Sequence, residues 1–229
     1  MALYAIGDLH LCLGAPKPMD VFGGAWVGYM DKLKSGLSVL KPDDTLVLLG
    51  DISWALGLDE ALADFSWIND LPGKKIILKG NHDYWWNTAT KFQRFCEVND
   101  FSQICLLNNN HFEYEGVAIC GTRGWFFEED RSNDHDEKIF KRELLRLEAS
   151  LKSAGDMPKY VFLHYPPKYK GYECPEILEL LHRYEVRRCF YGHLHGPSHK
   201  LAVEGLWGGV DYRLVSADYI GFKPVAVIL

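Results

Sequence analysis

Short apolar runs recur along the chain, and five of them end alike. Leu3-Tyr4-Ala5-Ile6 runs into Gly7-Asp8-Leu9-His10, and Leu46-Val47-Leu48-Leu49 into Gly50-Asp51. Ile76-Ile77-Leu78 is followed, after Lys79, by Gly80-Asn81-His82-Asp83. Tyr160-Val161-Phe162-Leu163 ends in His164-Tyr165-Pro166-Pro167, and Arg188-Cys189-Phe190-Tyr191 in Gly192-His193-Leu194-His195. Runs this short, closed by glycine or polar residues, predict buried strands. Between them the apolar spacing changes to three and four. Met30, Leu33, Leu37 and Leu40 predict a helix over 26–40, and Leu58, Leu62 and Phe65 one over 56–68. Helices are also predicted over 91–98, over 177–182 and, as the longest, over 134–153, with Ile139, Phe140, Leu144, Leu147 and Leu151 inward. On that last helix Lys138, Lys141, Arg142 and Arg146 alternate with acids and read as a solvated face.

Two regions break the alternation. From Ile104, three short strands (104–107, 112–114 and 117–120) are separated by Asn108-Asn109-Asn110 and Glu115-Gly116, a spacing that predicts antiparallel hairpins. The last third is strand-rich, at 201–203, 212–215 and 225–228. Residues 12–25 carry Gly14, Pro16, Pro18, Gly23 and Gly24 and read as a loop covering the first polar block. Tyr84, Trp85 and Trp86 follow the third block, where Tyr84 and Trp86 are candidate stacking partners for a substrate or else open a helix packed on the sheet. Arg123, in Gly121-Thr122-Arg123-Gly124-Trp125, is a candidate clamp for a phosphate oxygen or else, and more readily, one half of a structural ion pair. With no internal repeat, low-complexity tract or linker, residues 1–229 are expected to form one domain.

Composition narrows the functional classes. Hydrophobic residues make up 48%, enough for a substantial core. The formal charge is −6 without a basic block, which argues against a long nucleic-acid partner that needs a cationic track. Six cysteines lie scattered without a C-x-x-C pair, and neither a leader-like start nor a run of membrane-spanning length is present. A reduced, cytoplasmic protein without a membrane partner is expected.

Open α/β sheets bind their ligands at the carboxyl ends of strands, and the blocks collected there are Asp8, His10, Asp51, Asn81, His164, His193 and His195. Seven oxygen and nitrogen donors without a thiolate exceed what one tetrahedral ion uses and suit two ions sharing a bridging carboxylate. Mixed imidazole and carboxylate donors favour Mn, Fe or Zn over Ca.

The ordered series Asp-x-His, Gly-Asp, Gly-Asn-His-Asp, His, Gly-His-x-His resembles the calcineurin-like metallophosphoesterase superfamily across essentially the whole chain. The resemblance implies a four-layer α/β/β/α sandwich of two mixed sheets flanked by helices, with two divalent metal ions at the strand ends. By the same resemblance Asp8, His10 and His195 would hold the first ion, Asn81, His164 and His193 the second, and Asp51 would bridge. His82, with Asp83 behind it to orient its ring, would serve the reacting phosphate. The implied activity is hydrolysis of a small phosphomonoester or phosphodiester by in-line attack of a metal-bridging hydroxide.

Departures refine the likeness. Gly50-Asp51-Ile52-Ser53-Trp54 lacks the Gly-Asp-x-x-Asp-Arg-Gly of the protein serine/threonine phosphatases, and His82 stands where lipid A pathway pyrophosphatases carry arginine. Residues 17–23, Trp26 and 121–125 are similar to a bacterial branch of predicted phosphohydrolases. The alternatives are a nuclease acting on short oligonucleotides and a non-catalytic scaffold of the same fold.

Overall fold

The structure, a computed structural model, describes residues 1–125 and 134–228, with Asp134 and His135 described by their backbone alone. In the first half strands and helices alternate: β1 (Leu3–Ile6), α1 (Tyr29–Leu37), β2 (Thr45–Leu48), α2 (Leu58–Asp70), β3 (Lys74–Ile77), α3 (Ala89–Val98) and β4 (Ile104–Leu106). The second half comprises β5 (Phe112–Tyr114), β6 (Val117–Thr122), α4 (Asp134–Ser153), β7 (Lys159–Leu163), β8 (Lys168–Tyr169), β9 (Tyr172–Glu173), α5 (Pro175–Arg183), β10 (Val186–Tyr191), β11 (Gly205–Trp207), β12 (Val210–Leu214) and β13 (Val225–Ile228). One sheet has the order β13-β1-β2-β3-β4, parallel except for β13. The other is β11-β12-β10-β7-β6-β5, with a parallel centre and antiparallel edges.

The period-two alternation within each run explains how these sheets stack. Leu3 and Ala5 of β1, Val47 of β2 with Leu49 just past it, and Ile76 of β3 with Leu78 just past it all face the other sheet. There they meet Ile119, Phe162, Phe190 and Val215 in an interior core. The intervening Ile6, Leu46, Leu48 and Ile77 face Tyr29, Leu33, Leu37, Phe65, Ile68 and Phe92 of α1 to α3. In the second sheet Val161, Leu163, Cys189 and Tyr191 face Phe140, Leu147, Leu151, Ile177 and Leu181 of α4 and α5. Central strands apolar on both faces therefore give helix, sheet, sheet, helix, the four-layer sandwich that the sequence implied. Phe65 packs edge-on against Trp85 and Phe92, at centroid distances of 4.8 and 5.2 Å. Deleting a phenyl ring from such a cluster costs about 3–5 kcal/mol.

Several local expectations are corrected. The first helix starts at Tyr29 rather than Trp26, because Gly28 turns left-handed (φ 65°) and Trp26 belongs to a 3-10 turn. The hairpin holds for β5 and β6, but β4 pairs parallel to β3 in the other sheet. Asn108-Asn109-Asn110 is thus a crossover between sheets. Residues 196–201 form a 3-10 segment, and the edge strand follows at β11. Tyr84 to Trp86 open no helix; α3 starts at Ala89, where the Thr88 hydroxyl accepts from the Lys91 N–H. All six cysteines are free thiols, and no helix among the described residues is long and apolar enough to cross a membrane.

Candidate metal centre

The predicted ligands stand just past the carboxyl ends of β1, β2, β3, β7 and β10, where the two sheets touch through a bridge between Gly7 and Ser216. The β1–β2 ladder continues beyond the strands. Asp8 N–H donates to Gly50 O (3.0 Å), His10 N–H to Asp51 O (2.9 Å) and Leu11 N–H to Ile52 O (2.8 Å), which fixes Asp8, His10 and Asp51 in one register. Strand alternation would place Asp8 and His10 on one side; left-handed backbone brings them together instead. The φ angles are 60° at Asp8, 47° at His10, 49° at Asp51 and 71° at His193. Such conformations cost a non-glycine residue about 1–3 kcal/mol and concentrate where a site demands them. The glycines beside the ligands allow close approach. A Cβ on Gly80 would collide with Asp51 Oδ1, and one on Gly192 would lie 2.6 Å from Asp8 Oδ2.

The side chains gather around two points. At the first, His10 Nε2 lies 3.4 Å from His195 Nε2, which is 3.5 Å from Asp8 Oδ1. At the second, Asn81 Oδ1 lies 2.5 Å from His164 Nε2 and 3.0 Å from His193 Nδ1. Asp51 Oδ2 sits between, 3.8 Å from His10 Nε2 and 3.6 Å from His164 Nε2. The structure thus brings all seven predicted ligands together.

The donor atoms fit cations. His164 Nδ1–H donates to Leu49 O (3.0 Å), so its Nε2 turns a lone pair toward the Asn81 oxygen, acceptor against acceptor. His195 Nδ1–H donates to Asp218 Oδ1 (2.8 Å), so its Nε2 faces His10 and Asp8. Burial alone would lower this imidazole, but the Asp8 and Asp218 carboxylates raise it to about 10, and a cation bound here would take the place of the Nε2 proton. Asp51 Oδ2 and His10 Nδ1 are buried without a hydrogen-bond partner among the described residues. Electrostatics agrees. Burial, then the Asp83 and Asp8 carboxylates, push the Asp51 carboxyl well above its usual range. Burial raises Asp8 too, but the attraction of His195, His164 and His10 overrides it and holds Asp8 low. Burial and the neighbouring imidazoles hold His10 low and push His193 down to about 3. Divalent cations among these atoms would relieve the carboxylate repulsion and accept every lone pair named.

Asp83 is a correction. It does not orient His82; its buried carboxylate accepts the N–H groups of Gly80 (2.7 Å), Ile52 (2.8 Å) and Ser53 (3.3 Å) and the Trp85 indole N–H (2.9 Å). Four donors already surround it, so it serves to tie the loop carrying Asp51 to the loop carrying Asn81. His82 instead meets the Tyr84 hydroxyl, 3.0 Å from its Nδ1, and packs against Trp54 at 4.7 Å between centroids. Burial, then His164 and Lys17, push its imidazole down to about 4, so the ring is neutral near pH 7.

The loop over 12–25 does reach the site. Trp26, just after it, sets its ring edge-on against His10 (5.7 Å) and His195 (5.6 Å). Sequence reading missed Trp54, which stacks on His10 at 4.8 Å, and Lys17, whose ammonium lies 3.3 Å from the Trp54 ring centroid. It also missed Asp218, although Val215-Ser216-Ala217-Asp218 repeats the arrangement of polar residues after an apolar strand. Of the tentative substrate contacts, Tyr84 is exposed beside His82, while Trp86 and Arg123 lie together around a different cavity.

The sequence matches the model of the calcineurin-like phosphoesterase family over residues 1–197, and the chain belongs to that family. The family is hydrolytic and metal-dependent, and the Asp/His groups described above are its candidate ligands here. No curated protein matches the chain. Among solved structures it is similar to AQ665 of Aquifex aeolicus, a protein of unknown function, at 18% identity and a TM-score of 0.54 over 98% of this chain and 95% of that one. It is also similar to TT1561 of Thermus thermophilus, at 14% identity and a TM-score of 0.56 over 99% and 97%. At these identities the likeness concerns the fold.

Proposed function

We propose that the protein hydrolyses a small phosphoester at a centre of two divalent ions. Asp8, His10 and His195 would hold one ion, Asn81, His164 and His193 the other, and Asp51 would serve both. The observation that carries this reading is Asp51 Oδ2, a buried carboxylate oxygen without a hydrogen-bond partner among the described residues that faces an imidazole of each set, His10 and His164. Bound there, divalent ions supply Lewis acidity for activating water and for neutralising phosphoryl oxygens.

The remaining work falls to the chain. Asp83 holds the Asp51 and Asn81 loops at a fixed separation, and Asp218 fixes the His195 tautomer that leaves Nε2 free for a metal. His82, neutral and in contact with the Tyr84 hydroxyl, is placed to donate an N–H to a phosphoryl or leaving oxygen. Trp26 and Trp54 cover the His10 side and limit water access there.

The test is metal stripping and reloading. Chelation should abolish hydrolysis on a panel of paired phosphomonoesters and diesters, Mn should restore it with Fe and Zn as comparisons, and metal analysis should find two ions per chain. Undiminished hydrolysis by metal-free protein would overturn the reading.

A further inference from the structure

A cavity of about 270 Å3 is lined by Lys79, Arg123, Arg142, Arg146, Glu143 and Trp86 among others. Its four cations come from three places: just past β3, just past β6 and one flank of α4. Arg142 and Arg146 keep the solvent access expected of that face, Arg142 exposed and Arg146 half-buried, and both also line this cavity. The one acid among its described lining residues is Glu143, which is buried and already engaged. It accepts from the Thr122 hydroxyl (2.8 Å) and from Arg146 Nη1 (2.6 Å), with Arg123 Nη2 at 3.7 Å. Among the described residues four positive groups therefore face one negative one, and Arg123 Nε is buried without a hydrogen-bond partner. Leaving a buried charged donor unpaired is costly unless a ligand completes it.

The cavity adjoins the metal centre through the backbone. Lys79 precedes Asn81 by two residues, and Arg123 O accepts the N–H groups of His164 (3.1 Å) and Tyr165 (2.9 Å). The Tyr165 ring lies 5.9 Å from the Arg123 guanidinium carbon on one side and 4.6 Å from the His193 ring on the other. Ligand pockets commonly measure about 300–1,000 Å3, so this volume suits one end of a molecule rather than the whole.

We propose that this cavity is a second anion subsite and that the substrate carries two phosphates. One is the ester cleaved at the metal centre; the other is held by Arg123, Arg142, Arg146 and Lys79. Guanidinium groups match phosphate oxygens with paired N–H donors, and a dianion balances the excess of cations that Glu143 leaves. The proposal rests on reading the metal centre as a phosphoesterase site, but it has a binding test of its own.

The metal-loaded full chain is titrated calorimetrically with non-hydrolysable alkane-α,ω-bisphosphonates of graded length and with the matching alkyl monophosphonates. Bisphosphonate should bind at least about tenfold more tightly, the worth of one charged hydrogen bond, with an optimum chain length. Arg142→Ala/Arg146→Ala should remove that preference. Lys79→Gln, on a separate element, should reduce it, which guards against a folding defect in α4. Lys141→Ala, paired with Glu137 away from the cavity, should keep it. Alkanediol bisphosphates should show the same preference in kcat/KM over alkyl phosphates. Equal binding of bis- and monophosphonates, or a preference unchanged in both cavity variants, would overturn the subsite even if hydrolysis is brisk. A preference that the variants remove, in a protein that hydrolyses no phosphoester, would support the subsite and reject the hydrolytic reading instead.

Discussion

Lys79 and Asn81 leave the same strand two residues apart and enter surroundings of opposite charge. Asn81 joins carboxylates and imidazoles whose lone pairs converge, a site that wants cations. Lys79 faces, among the described residues, three arginines around one engaged glutamate, the proposed site for an anion. Burial and the nearby Arg123 push the Lys79 ammonium below its usual value, while burial and Asp83 push the Asp51 carboxyl above its own. Each region is thus crowded with its own sign, and each is relieved by a ligand of the other. The chain's overall charge of −6 reports neither, because recognition follows the local field rather than the sum.

The largest effect tests the acidic region at its centre. Asp51→Asn removes the charge facing both ligand sets, so both ions should be lost in metal analysis. Hydrolysis should fall by at least about 10²–10³-fold, the loss expected from a single preorganised group. Full retention of one ion would mean that the two sets do not share Asp51.

Next, His82→Ala should keep both ions and lower kcat by about 10²–10³-fold. Because the ring is pushed down to about 4, it gains a proton only below that pH and acts near neutrality as a hydrogen-bond donor. The loss should therefore be equal for nitrophenyl and alkyl esters. A rate inflection near neutral pH that vanishes in the variant would mean that His82 transfers a proton instead.

Asp218→Asn should be milder, weakening the ion at Asp8, His10 and His195 by about 10–100-fold, as the loss of a carboxylate supporting a ligand histidine does. Competitive metal titration should find the other ion unaffected.

The smallest effect separates Lys75 of β3 from Lys79, two residues past its end. Lys75 is fully buried, and its ammonium donates to the carbonyls of Asn69 (3.0 Å) in the last turn of α2 and of Leu71 and Gly73 (2.8 Å) just past it. Its role is to complete a helix end, whereas Lys79 faces the cavity. Burial pushes Lys75 from 10.5 to about 8. The folded state therefore holds this proton less tightly than the unfolded chain. The penalty is complete below about pH 8 and fades as pH rises toward 10.5. Urea midpoints of wild type and Lys75→Met should diverge in favour of wild type across that window. A constant gap would mean that water reaches Lys75.

Whatever lay within a few consecutive residues was legible in the sequence. Each strand carries its apolar run and its polar block together, so the seven ligands could be listed, and the two-faced burial follows from the unbroken apolar runs Leu3–Ile6, Leu46–Leu49 and Ile76–Leu78. Features decided by a distant partner were not legible. Arg142 and Arg146 look like any charged helix face until β6 and the end of β3 are set beside them. Asp83 adjoins His82 in sequence, but four donors from other positions claim it. β4 resembles the first arm of a hairpin and leaves for the other sheet because β3 offers it a parallel edge. The helix start lies at Tyr29 because Gly28 adopts a left-handed turn that apolar spacing does not register.

The proposed ligand sets would have a mechanical consequence. Asp8 and His10 follow a strand of the first sheet and His195 one of the second; Asn81 belongs to the first sheet, and His164 and His193 to the second. Any ion held by either set is therefore a cross-link between the two halves of the sandwich, fastened at the edge where Gly7 and Ser216 already meet. Loaded with metal, the sheets should open as one cooperative unit, with amides of β1 and β10 exchanging at a common slow rate. Stripped of it, the halves are free to open separately, and those rates should part.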